Sequence, residues 1–206
     1  MSGIIAQNTL DNSGLIKAPA GGGAWNFIKK LTASGDSDLS FVDGADDVDL
    51  STYKEYVFTF NNIHPETDGS FISFNASDDD SSHSYDVVKT TTLFRAYHFE
   101  NGSGAVLAYE VSKELAESTD FQFLIAEEID NGNDSSASGY LHLFNPSSEV
   151  FVKHFMSRMN SNGGTFTTDS HLAGYFNTTA DITAIQFKMD QDAIDAGDIC
   201  LYGLTT

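Results

Sequence analysis

Short segments in which apolar and polar residues alternate recur along this chain between loops rich in turn residues. Almost nothing carries the period of a helix. That pattern constrains the fold more than any single motif. Residues 25–32 open the series, and 53–60 (YKEYVFTF) and 71–76 (FISFNA) follow. Residues 88–99 form a longer segment rich in Thr and aromatics, and 121–128, 139–145, 150–156, 173–176, 182–189 and 199–204 complete the set. Each is near the usual strand length, and turn residues bound nearly all of them. Only residues 112–117 (SKELAE) have the composition of a short helical turn. About ten short strands without helical partners predict an all-β sandwich or barrel. A two-sheet antiparallel β-sandwich of jelly-roll type is the expected architecture. There is no internal repeat, which excludes solenoids and propellers.

Two stretches refine this. Residues 141–144 (LHLF), Asn145-Pro146-Ser147-Ser148 and residues 149–155 (EVFVKHF) read as strand, turn, strand. Pro146 suits the second turn position, and Asn145 can bond the backbone beyond it. Residues 181–189 and 197–204 read as a closing strand pair joined by an acidic loop.

The 206 residues fit one domain with a sizeable core, and 16 Phe and 8 Tyr supply large flat side chains to fill it. Ten basic against thirty acidic residues give a formal charge of −20. Such a surface repels nucleic-acid phosphates and anionic lipid, so neither nucleic acid nor membrane is an expected partner. No segment reaches the roughly 18 apolar residues of a membrane span, and residues 1–8 lack the pattern of a signal peptide. The expectation is a protein made in a cytoplasm. The single cysteine, Cys200, lies within a strand pattern and is expected to be a buried, inert thiol.

Residues 1–24 differ from the rest. Ser13-Gly14, Ala18-Pro19 and Gly21-Gly22-Gly23 interrupt a stretch without strand or helix period. It reads as an extended N-terminal anchoring arm, with Ile4, Ile5, Leu10, Leu15 and Ile16 as apolar anchors, leading to a sandwich domain at 25–206.

Residues 56–65 (YVFTFNNIHP), 141–155 (LHLFNPSSEVFVKHF) and 173–204 (AGYFNTT, ITAIQFKM, AGDICLYGL) carry a resemblance. Together they resemble the jelly-roll, concanavalin-like structural module of marine tailed bacteriophages, found in virion or tail-fibre proteins. The resemblance runs over nearly the whole chain from Trp25. It implies a virion-located structural protein without catalytic residues, a homo-oligomer with a trimer favoured, bound by its arm to other head or tail proteins. A peripheral fibre or spike adhering to host-surface polysaccharide is the first expectation, a head decoration protein without glycan binding the alternative. A free lectin or a polysaccharide-active enzyme is more remote.

Retaining glucanases of the concanavalin type carry Glu-x-Asp-x-x-Glu on one strand, where alternation aligns the carboxylates. Here Glu128 and Asp130 match, but Asn133 stands where the acid/base must be, and Asn moves no proton. Only Asp134 reaching in would restore the chemistry. Three acidic groups could offer oxygens to calcium, the one cofactor considered: Asp43, Asp46, Asp47 and Asp49; Asp78, Asp79 and Asp80; and Asp190, Asp192, Asp195 and Asp198. None has EF-hand spacing, and a solvated anionic loop is the simpler reading. Six histidines (His64, His83, His98, His142, His154 and His171) include no close pair, although the hairpin could bring His142 towards His154. Nucleophile-elbow, phosphate-loop and zinc-helix motifs are absent. A glycan needs exposed aromatic faces, and Tyr85, Tyr97, Tyr109 and Tyr140, near loop or strand ends, are the residues expected to supply them.

Overall fold

The structure, a computed structural model, describes residues 24–205. The anchoring arm with Ile4, Ile5, Leu10, Leu15 and Ile16 lies outside the described residues. Within them the chain forms twelve strands: β1 (Trp25–Ala33), β2 (Leu39–Val42), β3 (Glu55–Pro65), β4 (Ile72–Ser77), β5 (Lys89–Phe99), β6 (Ala105–Tyr109), β7 (Gln122–Phe123), β8 (Ala137–Phe144), β9 (Lys153–Asn162), β10 (Phe166–Phe176), β11 (Ala184–Met189) and β12 (Ile194–Leu204).

Eight strands form one sheet in the order β1-β12-β3-β8-β9-β10-β5-β6, and four form the other, β2-β11-β4-β7. Neighbouring strands pair antiparallel throughout. The chain switches sheets after β1, β2, β3 and β4, and again around β7 and β11. This is the expected all-β sandwich of jelly-roll type. Repeated crossing buries the inner face of each sheet against the other, because neither sheet can hide its apolar face alone.

The core is aromatic. Phe187 of β11 meets Phe58 and Phe60 edge-on at 5.2 Å each, meets Phe41 at 6.2 Å and stacks on Phe74 at 6.3 Å. Phe74 in turn packs against Phe155 and Phe176. These rings come from both sheets, and edge-to-face contacts are the arrangement their charge distribution favours.

Several expectations need correction. Residues 181–189 and 197–204 do not pair with each other: β11 lies between β2 and β4, whereas β12 lies between β1 and β3. Alternation marks a strand but not its partner, and the loop between them carries the chain across the sandwich. The turn at Asn145–Ser148 is present, with Ser148 N–H donating to Asn145 C=O at 3.1 Å and Asn145 at φ 50°. Residues 149–152 stay outside the strand, however, and β9 starts at Lys153, whose buried ammonium donates to Thr178 C=O and Ala180 C=O. Residues 112–117 form a turn and not a helix. Their backbone groups are claimed by side chains: Thr91 Oγ1 accepts from Leu115 N–H, Thr90 Oγ1 from Glu117 N–H, and Gln122 donates to Lys113 C=O. Of residues 121–128 only Gln122–Phe123 pairs as a strand. Beyond it Ser170 Oγ captures Ala126 N–H at 2.9 Å, and Ile129 makes an isolated bridge to Ser70.

Candidate functional site

The outer face of the eight-stranded sheet is not the polar surface that a half-buried sheet usually presents. On β9, Lys153, Phe155, Ser157, Met159 and Ser161 point inward, so His154, Met156, Arg158 and Asn160 point outward. Antiparallel register then fixes what lies beside them. Tyr140 of β8 faces Arg158, Arg158 faces His171 of β10, His171 faces Phe94 of β5, and Phe94 faces Tyr109 of β6. One step along, His142 faces Met156, Met156 faces Ala173, and Ala173 faces Thr92. Directly opposed side chains sit within contact distance, so these are two continuous rows across the sheet.

The second row ends in two small residues, Ala173 and Thr92. The result is a groove of about 470 Å³, walled by Tyr140, Phe144, Arg158, His171 and Phe94, with Met156 on its floor. Phe94, Tyr140 and Met156 are all exposed. The rings are held in place. Phe94 lies flat on His171, centroids 4.8 Å apart and planes within 4°. Tyr140 meets His142 edge-on at 5.3 Å, and His142 stacks on Phe144 at 6.1 Å.

The polar groups are paired as firmly. Asp169 accepts from Arg158 Nε at 2.9 Å and Nη2 at 2.8 Å, a bidentate pair, and its Oδ2 lies 3.3 Å from His171 Nε2. The hydrogen bond from Arg158 holds the Asp169 carboxyl below the usual range, and the same pair raises Arg158. Glu55 of β3 lies 2.5 Å from His142 Nδ1. Arg158, His142 and His171 at the groove are therefore each paired with a carboxylate.

Of the four tyrosines expected to face a glycan, the structure places Tyr140 in the groove. Tyr109 stands beside it, its hydroxyl bonded to Thr92 at 3.0 Å and to Glu114. Tyr97 points to the opposite face of β5, where the Arg95 guanidinium lies 4.9 Å from its ring and Phe99 packs edge-on. Tyr85 lies in the β4–β5 loop at φ 50°, near His83. Sequence reasoning missed Phe94, Met156, Arg158 and Asp169. Strand alternation carried the signal, since all four are out of phase with the core residues of their strands.

Met156, not His154, stands opposite His142, and His154 lies 6.1 Å from Tyr175. His64 lies apart, in a polar cleft of about 400 Å³ with Asn62, Asp134 and Asp195. Glu128 and Asp130 sit in irregular chain, so the single-strand alternation required of a glucanase motif is not present. The acidic groups are engaged by backbone donors: Asp79 accepts from the N–H groups of Ser82, His83 and Ser84 and Asp43 from Leu50 within their own loops, and Asp190 accepts from Phe71, just ahead of β4. Bonds from Ser82 and Ser84 hold the Asp79 carboxyl far below its ordinary value. Among the described residues no three His, Cys, Asp or Glu side chains gather as a metal ion would need. Cys200 is buried.

No family model matches the chain, and no curated protein matches it. Among solved structures it is similar over 87% of its length to a chain in the structure of infectious bursal disease virus, Gx strain, at 10% identity and a TM-score of 0.17. This chain spans 40% of that one, and a likeness so slight has no bearing on function.

Proposed function

We propose that the chain is a virion structural protein of a tailed bacteriophage, a peripheral fibre or spike component that adheres to host-surface glycan. The observation that carries the adhesive part is the groove on the outer sheet face. Exposed Phe94, Tyr140 and Met156 offer apolar surface beside the polar pair Arg158–Asp169, and such a mixture is the usual make-up of a small-ligand site. Sugars present a C–H face to an aromatic ring and hydroxyls to polar neighbours, and the groove supplies both. The virion assignment rests on the sequence resemblance across residues 56–65, 141–155 and 173–204. Residues 1–24 would anchor the domain to a head or tail partner, with a homotrimer as the favoured assembly.

Antibody labelling of intact virions, viewed by electron microscopy, tests this. Label on the tail or its tip is expected. Label spread over the head would replace adhesion with a decoration role, and capsid stability would become the property to measure. Absence of label from infectious particles would overturn the structural reading.

A further inference from the structure

We infer that the groove is specific for neutral glycans and discriminates against glycans bearing uronate or other acidic groups. This deepens the adhesive reading and rests on it. Three observations point the same way. First, the charge of the groove's arginine is already matched, because Asp169 takes its Nε and Nη2 in a bidentate pair and leaves only outer N–H donors, with no net positive charge behind them. Second, His142 and His171 each face a carboxylate, Glu55 and Asp169, so the groups that would hold a ligand carboxylate are already matched. Third, the chain carries a formal charge of −20, whose field raises the cost of bringing further negative charge to any face.

What the groove has in surplus is apolar surface, with hydrogen-bonding groups and no unmatched positive charge along it. A carboxylate oxygen accepts up to two hydrogen bonds, so Asp169, which lines the adjoining cleft with Tyr140 and Arg158, keeps an open lone pair on Oδ1 after binding its basic partners. Sugar hydroxyls are donors of the right kind, and a bond from a neutral hydroxyl to a charged acceptor is a strong one. The exposed Phe94 and Tyr140 rings, fixed by His171 and His142, stand ready without reordering. Fixed rings lose little freedom on binding. A hexose fits this chemistry, whereas a uronate adds a charge with no unpaired cation to meet it.

Isothermal titration of the full chain against cello-, laminari- and maltohexaose, and against oligogalacturonate and oligomannuronate of similar length, tests the inference. At least one neutral oligomer is expected to bind at least about tenfold more tightly than either uronate at low salt. Added salt should narrow that gap by strengthening uronate binding, because screening weakens like-charge repulsion. Tyr140→Ala, at a half-exposed position outside the core, should keep the melting temperature and weaken neutral binding about tenfold. Uronates binding as well as neutral oligomers, with Tyr140→Ala lowering both, would overturn the specificity and leave the adhesive groove standing. No binding by any oligomer, or binding that Tyr140→Ala leaves unchanged, would overturn both.

Discussion

Lys89 is an ammonium-bearing side chain packed inside the sandwich, and its burial ties stability to pH. Its side chain is fully buried on the inner face of β5, and its Nζ donates to Val87 C=O at 3.1 Å and Asp120 C=O at 2.6 Å. No carboxylate is bonded to it. Burial lowers its pKa from the ordinary 10.5 to about 8, against the weaker opposing pull of Asp120 and Asp86. Between those two values the unfolded chain holds a proton that the folded chain has released. Stability attributable to Lys89 therefore rises with pH across the window and is flat on either side. From about pH 7 to about pH 9.5 the gain is about 2 kcal/mol. Other groups titrate too, so the comparison must be with Lys89→Met, which removes the ammonium while keeping the length. The variant leaves two carbonyls without their donor, a loss that does not vary with pH. Urea unfolding of both proteins at the two pH values isolates the linkage. Wild type should gain on the variant by about 2 kcal/mol, moving the midpoint gap by somewhat under about 1 M. A gap that does not move, or moves the other way, would refute a dry, carbonyl-bound Lys89.

Other expectations follow from the same structure. Phe187→Ala removes the ring at which Phe41, Phe58, Phe60 and Phe74 converge, and should cost about 3–5 kcal/mol in chemical unfolding. Gly139→Ala would set a Cβ 2.2 Å from Arg158 C=O and 2.8 Å from Met159 Cα, forcing β8 off β9. It should destabilise by about 1–3 kcal/mol and weaken ligand binding at the groove, read by calorimetry and titration together. Phe94→Ala should lower glycan affinity, whereas Tyr85→Ala and Tyr97→Ala, at positions away from the groove, should leave it unchanged in the same titration.

Much of the fold was legible in the residues because strand alternation is a local signal. β1, β4, β5 and β8 fall close to the segments predicted for them. What alternation cannot give is the partner. Residues 182–189 and 199–204 look like neighbours in sequence, yet they pair in different sheets. β2 and β6 were missed because each is only a few residues long, and β6 is an edge strand with most of its residues exposed. The 112–117 turn failed as a helix for a non-local reason: Thr90, Thr91 and Gln122 bind the backbone groups a helix would have used. The groove is non-local in the same sense. Tyr140 could be nominated as an exposed aromatic, but its value comes from Arg158, His171 and Phe94, which only the β8-β9-β10-β5 register brings into line.

The most direct test of the adhesive groove uses a label that the chain already contains. Met156 lies exposed on the groove floor, while Met159 and Met189 are buried in the core. With methyl-labelled methionine, titration of the neutral oligosaccharide can be followed by NMR at all three positions. The Met156 methyl should shift and saturate while those of Met159 and Met189 hold still. Binding that leaves Met156 unmoved would place the ligand elsewhere and contradict the account.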